Sequence, residues 1–262
     1  MPASTSAAGG GGSAGRGDGI DRIVLVHGGM HGSWCWERVV PRLAGDVVAV
    51  DLPGRPEGSG PVTLDGWVDT VISATAPAGR SLIVGHSLGG ISVLAAAGRA
   101  PERVGGIVLI AAVVPRPGQC YWDLLPGPLA LLRRVLGIGE DELVLPSAIA
   151  RYMLCSGLSR ADRERILSRL VPESGAVLGT PVDYRLADGL DVTYVHTRRD
   201  RMIRPSSQRR YAGLLPAGTR RLRLDSGHCA LYARADELAG IINGLAGRGP
   251  GEGRAPRSTN PG

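Results

Sequence analysis

Four short runs of apolar residues on consecutive positions punctuate the first half of the chain: Ile23–Val26, Val47–Val50, Leu82–Val84 and Ile107–Ile110. A strand with one face in water alternates apolar and polar residues. A strand that is apolar at every position is buried on both faces, as in a parallel sheet covered by helices. Two later runs, Val192–Val195 and Leu222–Leu224, extend the series. The spacers carry helical spacing: Trp36, Val39, Val40 and Leu43 within 33–43, and Trp67, Val68, Val71 and Ile72 within 64–75. Helices are also expected over 88–99 and 235–245. Strand alternating with helix predicts an α/β fold: a mostly parallel sheet of about six strands flanked by helices and joined by right-handed crossovers.

The rhythm breaks between Val114 and Leu190, a gap too long for one crossover. Helical patterns at Leu129–Leu136 and Arg160–Leu170, separated by Pro and Gly, predict a helical cap over 114–190. The α/β core is then 20–113 together with 191–246. Residues 1–19 are mostly Gly, Ala and Ser, and 247–262 repeat Gly and Pro. Both are expected to be disordered tails.

Composition narrows the function classes. Of 262 residues, 43% are hydrophobic and 21% charged, a globular balance. The longest apolar run, Val104–Val114, is interrupted by Gly105 and Gly106 and falls short of a membrane span. The N-terminus has no basic segment leading into an apolar one, so no secretory signal is expected. Cys35, Cys120, Cys155 and Cys229 are far apart with no C-x-x-C pair, which supports neither a disulfide framework nor a metal site. Four reduced thiols in a cytoplasmic protein are expected. All 30 basic residues are arginine, and the net charge is +6. The crowding from Arg198 to Arg223 reads as a solvated basic face and not a nucleic-acid surface, because aromatics are only 4% and no nucleic-acid motif accompanies it.

The strongest chemical signal is Gly85-His86-Ser87-Leu88-Gly89, a G-x-S-x-G placed after an expected strand and before an expected helix. A serine on such a tight turn has an exposed hydroxyl, and the helix N-terminus directs partial positive charge at it. A serine hydroxyl needs a base. Of five histidines, His27 and His31 flank the first loop, His86 sits in the turn and His196 lies inside a strand, where a core position is expected. His228, in a loop past the last strand, can reach across the sheet edge to Ser87. Asp200 leaves the preceding strand at the same edge and is the expected partner of His228. Asp225, three residues before His228, ranks second. Two donors must face a developing oxyanion. They are expected from the N–H of Leu88 and, in the loop His27-Gly28-Gly29-Met30-His31-Gly32, from that of Gly29.

With these residues in view, the chain resembles the α/β-hydrolase superfamily over nearly all of 20–246. Val24–Trp36, Asp51-Leu52-Pro53-Gly54, Gly85–Gly90 and Ser226-Gly227-His228 look like the branch that holds plant methylesterases, hydroxynitrile lyases and bacterial esterase relatives. The resemblance implies catalysis by Ser87, Asp200 and His228, an oxyanion hole at Gly29 and Leu88, a cap that holds the substrate pocket, and no metal or organic cofactor. Hydroxynitrile lyases carry threonine where Gly28 stands and lysine where Cys229 stands, and this chain has no lysine at all. Relatives with an aspartate nucleophile are set apart by Ser87. The expected activity is hydrolysis of a small or medium, largely apolar or aromatic carboxylic ester. The alternatives are a lyase or cyclase of specialised metabolism that uses the same Ser-His pocket, and a non-catalytic small-molecule-binding homologue. The expected partner is a small-molecule ester, with no nucleic acid and no membrane; oligomeric state stays open. Candidate pocket residues in the cap are Trp122, Leu124, Leu125, Leu129, Leu132, Tyr152 and Met153.

Overall fold

The computed structural model of the chain describes residues 19–125, 127–137 and 141–247. The tails expected at 1–19 and 247–262 lie outside the described residues, save for Gly19 and Gly247. In chain order the regular elements are β1 (Ile20–Val26), β2 (Asp46–Val50), α1 (Leu64–Ser73), β3 (Arg80–His86), α2 (Gly89–Arg99), β4 (Val104–Ile110), α3 (Gly127–Leu136), β5 (Glu142–Leu143), α4 (Ser147–Leu154), α5 (Arg160–Leu167), β6 (Glu173–Ser174), α6 (Gly175–Gly179), β7 (Asp191–Thr197), α7 (Pro205–Ala212), β8 (Arg220–Leu224), α8 (Ala230–Ala233) and α9 (Ala235–Leu245).

Six strands form one sheet in the order β2-β1-β3-β4-β7-β8. Every neighbouring pair is parallel. From β1 the chain steps outward to β2, then returns to the other side of β1 as β3 and continues away. The order therefore reverses between β1 and β3. The loops leaving these two strands diverge and open a crevice at the C-terminal edge.

The side-chain period of two splits the apolar runs between two layers. Val24, Val26, Ile83, Ile107, Leu109 and Tyr194 face one layer with Trp67, Val71, Ile91 and Leu94 from α1 and α2. Ile23, Leu25, Leu82, Val84, Val108 and Val195 face the other, with Trp36, Val39, Leu238 and Ile242. Burial on both faces is why these strands are apolar throughout.

One expected helix is not present. Residues 33–43 form two short 3-10 turns, Ser33–Trp36 and Val40–Arg42. Pro41 has no N–H to give and its ring blocks a continuous helix through the segment. Trp36, Val39 and Leu43 are buried all the same.

Residues 114–190 hold α3 to α6 and one antiparallel ribbon of two two-residue strands, β5 and β6. The helix read at 160–170 stops at Leu167. Among the described residues no helix is long and apolar enough to cross a membrane.

Candidate active site

The turn after β3 places Ser87 at φ +51°, a left-handed conformation that an L-residue adopts only under constraint. Its backbone supplies the constraint. Ser87 N–H donates to Ile110 C=O at 3.0 Å, and Ser87 C=O accepts from Gly90 at 3.1 Å and Val113 at 2.9 Å. The serine is thus fastened to the end of β4. Gly89 lets α2 start against β1, since a Cβ there would lie 2.4 Å from His27 C=O.

Ser87 Oγ lies 2.9 Å from His228 Nε2, and His228 Nδ1 lies 2.8 Å from Asp200 Oδ2. All three side chains are buried. A buried carboxylate requires donors in place of water. Asp200 has them: Thr197 Oγ1–H at 2.8 Å and Gln208 Nε2–H at 3.2 Å on Oδ2, and the N–H groups of Met202 at 2.8 Å and Ile203 at 2.9 Å on Oδ1. Asp225 lies outside this set. Its side chain is more than half exposed and pairs with Arg199 at 3.0 Å.

Three of the other histidines hold backbone. His27 accepts from Leu52 N–H at 3.1 Å through Nε2, and its Nδ1 lies 2.9 Å from Gly28 C=O. His31 Nδ1 lies 2.8 Å from Gly29 C=O, and His86 Nε2 lies 3.1 Å from His228 C=O. Burial pushes the pKa of His27 down to about 3 and of His31 to about 4, and drives that of His86 well below the usual range. All three are neutral at pH 7. His196 is not a core residue: it is half-buried at the side of β7.

The loop after β1 brings Gly29 against Leu88, whose side chain would lie 3.0 Å from a Cβ at position 29. Both residues line the cavity that also exposes Ser87, and neither backbone N–H has a hydrogen-bond partner among the described residues. This cavity has a volume of about 530 Å³ and exposes Ser87 and His228. Its walls are mostly apolar: Met30, Val113, Tyr121, Leu178, Met202 and Ile203 belong to them, with Arg201, Arg204, Ser206 and Ser207 along one side.

Of the residues expected to line a pocket, Leu124, Leu125 and Met153 do so. Trp122 does not; it packs into the core margin beneath the Arg133 guanidinium, 4.2 Å from its ring. Tyr152 is 62% exposed and meets the cavity only through Arg201, which lies 4.5 Å over its ring. Position on an amphipathic segment did not reveal which way each side chain turns. The side chains of Leu129 and Leu132 lie outside the described residues.

One pair had no sequence signal. Glu173 lines the cavity and pairs with Arg55 at 2.6 Å, each side chain 1% exposed. They are 118 residues apart, on segments with no periodicity that would bring them together. Among the described residues no three His, Cys, Asp or Glu side chains are grouped to hold a metal ion.

A family model described as the alpha/beta hydrolase family matches residues 23–241. Esterase PIR7B of Oryza sativa subsp. japonica is 39% identical over 108 residues, which are 37% of this chain and 40% of that esterase. The chain thus spans about two fifths of the length of this relative. Methylesterase 9 of Arabidopsis thaliana is 26% identical over 257 residues, covering 88% of this chain and all of that protein. The crystal structure of a pyrethroid hydrolase from Sphingobium faniae JZ-2 superposes with a TM-score of 0.71 at 24% identity, covering 87% of this chain and 98% of that one, a likeness of fold.

Proposed function

The chain belongs to the alpha/beta hydrolase family, and from that premise we propose that it is a serine hydrolase that cleaves a carboxylic ester through an acyl-enzyme. The observation that carries this reading is the unbroken line Ser87 Oγ, His228 Nε2, His228 Nδ1, Asp200 Oδ2, with contacts of 2.9 and 2.8 Å, opening into a cavity with mostly apolar walls. The esterase and methylesterase named above support it by likeness.

In this mechanism His228 Nε2 takes the Ser87 proton as Oγ attacks the ester carbonyl. Asp200 holds the Nδ1–H tautomer and stabilises the imidazolium. The N–H groups of Gly29 and Leu88 receive the oxyanion, which is worth more in a cavity walled by apolar side chains than in water. His228 returns the proton to the leaving alcohol. Water then resolves the acyl-enzyme by the same proton path in reverse. The apolar walls favour a small or medium ester with an apolar or aromatic acyl group. The four cysteines lie far apart in sequence with no C-x-x-C pair, the spacing of reduced thiols in a cytoplasmic protein.

The test is turnover of a p-nitrophenyl ester together with labelling by a serine-directed phosphonate. A hydrolase turns over the first and carries the second on Ser87. A protein that does neither overturns the reading.

A further inference from the structure

The loop that presents Gly29 is not held by the core alone. His31 N–H closes a turn onto Gly28 C=O at 3.3 Å, with Gly29 and Met30 at its centre. Met30 adopts φ +61°, where turns ordinarily carry glycine or asparagine. A bulky L-residue there is strained unless its surroundings hold it. Here residues 171–173, from the segment after α5, grip both of its backbone groups. Val171 N–H donates to Met30 C=O at 3.0 Å, and Met30 N–H donates to Glu173 Oε2 at 2.9 Å.

Arg55 completes the arrangement. Its Nη2 donates to Glu173 at 2.6 Å, its Nε donates to His31 C=O at 2.5 Å, and its guanidinium lies 5.6 Å over the Trp67 ring. Both side chains are shut away from water. Glu173 alone would set a bare carboxylate beside the place where the oxyanion forms. Arg55 cancels that charge while leaving the carboxylate free to accept from Met30.

We propose that Glu173 and Arg55 are positioning residues that set the oxyanion loop, Glu173 by pinning the Met30 peptide and Arg55 by neutralising the pin. This rests on the hydrolase reading. Without Glu173, a flip of the Gly29–Met30 peptide relieves the positive φ of Met30. The flip turns the Gly29 carbonyl to where the Met30 N–H had been, at the border of the cavity, and gives up the contact of that carbonyl with His31 Nδ1 at 2.8 Å. It thereby reverses the dipole next to the Gly29 donor, and the loss falls on the transition state and not on the ground state.

The experiment measures p-nitrophenyl ester kinetics and the affinity of a boronic acid that forms a tetrahedral adduct on Ser87. Glu173→Ala is expected to lower kcat by about 10²-fold, the scale of one lost oxyanion donor, with KM nearly unchanged and boronate affinity falling in step. Glu173→Gln keeps an acceptor for Met30 N–H and is expected to lose less. Met30→Gly added to Glu173→Ala removes the strain and is expected to recover much of kcat. Because removing one partner of a buried ion pair can unfold a protein, Arg55→Met with Glu173→Leu removes both charges at once. This double variant is expected to fold and to show the same loss in kcat. Wild-type kcat in that double variant, or a Glu173→Ala loss that Met30→Gly does not touch, overturns the proposal while the hydrolase reading stands. A wild-type protein that neither turns over the ester nor takes the phosphonate sinks the hydrolase reading, and this proposal with it.

Discussion

The ring of His86 reaches past the nucleophile to the base: its Nε2 donates to the backbone carbonyl of His228 at 3.1 Å. Ser87 and His228 are 141 residues apart in sequence, and the residue preceding the serine ties the two loops together. Burial keeps His86 neutral, so it serves as a donor and does not compete for the serine proton. His86→Leu is expected to free the His228 loop and lower kcat by up to about 10²-fold, the scale of a misplaced reacting group. Steady-state kinetics beside a thermal melt check this. Unchanged kcat in a folded variant contradicts it.

Ser87→Ala is expected to abolish ester turnover, a loss on the order of 10⁴ or more in kcat, and to leave the melting curve in place. Among the described residues the hydroxyl makes one side-chain hydrogen bond, to His228, so little folding energy goes with it. Near-normal hydrolysis would point to a different nucleophile.

Asp200→Asn and Asp225→Asn separate the two acids. The first places an amide against His228 Nδ1, favours the wrong tautomer and is expected to cost orders of magnitude in kcat. The second loosens an exposed pair with Arg199, and such pairs contribute about 1 kcal/mol or less. Comparable losses from the two variants would contradict the assignment.

Substrate choice is expected to follow the cavity walls. Leu125→Ala and Met153→Ala should change kcat/KM unevenly across a series of acyl chain lengths, because both side chains line the cavity. Tyr152→Ala should leave the series in parallel with the wild type, because its ring faces solvent. An even response to all three variants would move the acyl group elsewhere.

Stability is expected to fall on mild acidification. His27 and His31 are held down to about 3 and 4 by burial, and His86 also lies well below the usual range. In the unfolded chain each takes up a proton near pH 6.5. Between that value and the folded one the unfolded state binds more protons, so unfolding becomes easier as pH drops. Each group contributes up to about 1.4 kcal/mol per pH unit in that window and nothing above pH 7.5. Urea midpoints from pH 7.5 to 4.5 should decline steadily. Level midpoints would mean that these imidazoles are charged in the folded protein.

The sheet could be read from the sequence because Val24, Ile83 and Ile107 each belong to a run with no polar interruption, and burial on two faces leaves that mark. The serine turn could be read for a similar reason: the strained Ser87 needs glycine neighbours, and Gly85 and Gly89 are visible as letters. Asp200 and His228 followed from the strands they leave. Arg55 and Glu173 followed from nothing local. Their pairing depends on how the segment after α5 lies against the loop after β1, and the two-residue strands β5 and β6 are too short to show a period. Pro41 misled in the opposite direction, since the apolar spacing around it belongs to buried side chains on 3-10 turns.

Segment 114–190 sends side chains into both layers of the core. Val177, Leu178 and Val182 join the layer under α1 and α2. Ala150, Leu154, Leu158 and Ile166 join the one that holds Trp36 and α9. It sits astride the sheet like a saddle girthed on both flanks. It cannot be exchanged for another protein's segment or swung aside as a unit without prising open the interior it helps to fill. Divergence toward new substrates therefore has an economical route in this architecture: single replacements around the rim of a vessel whose frame stays fixed.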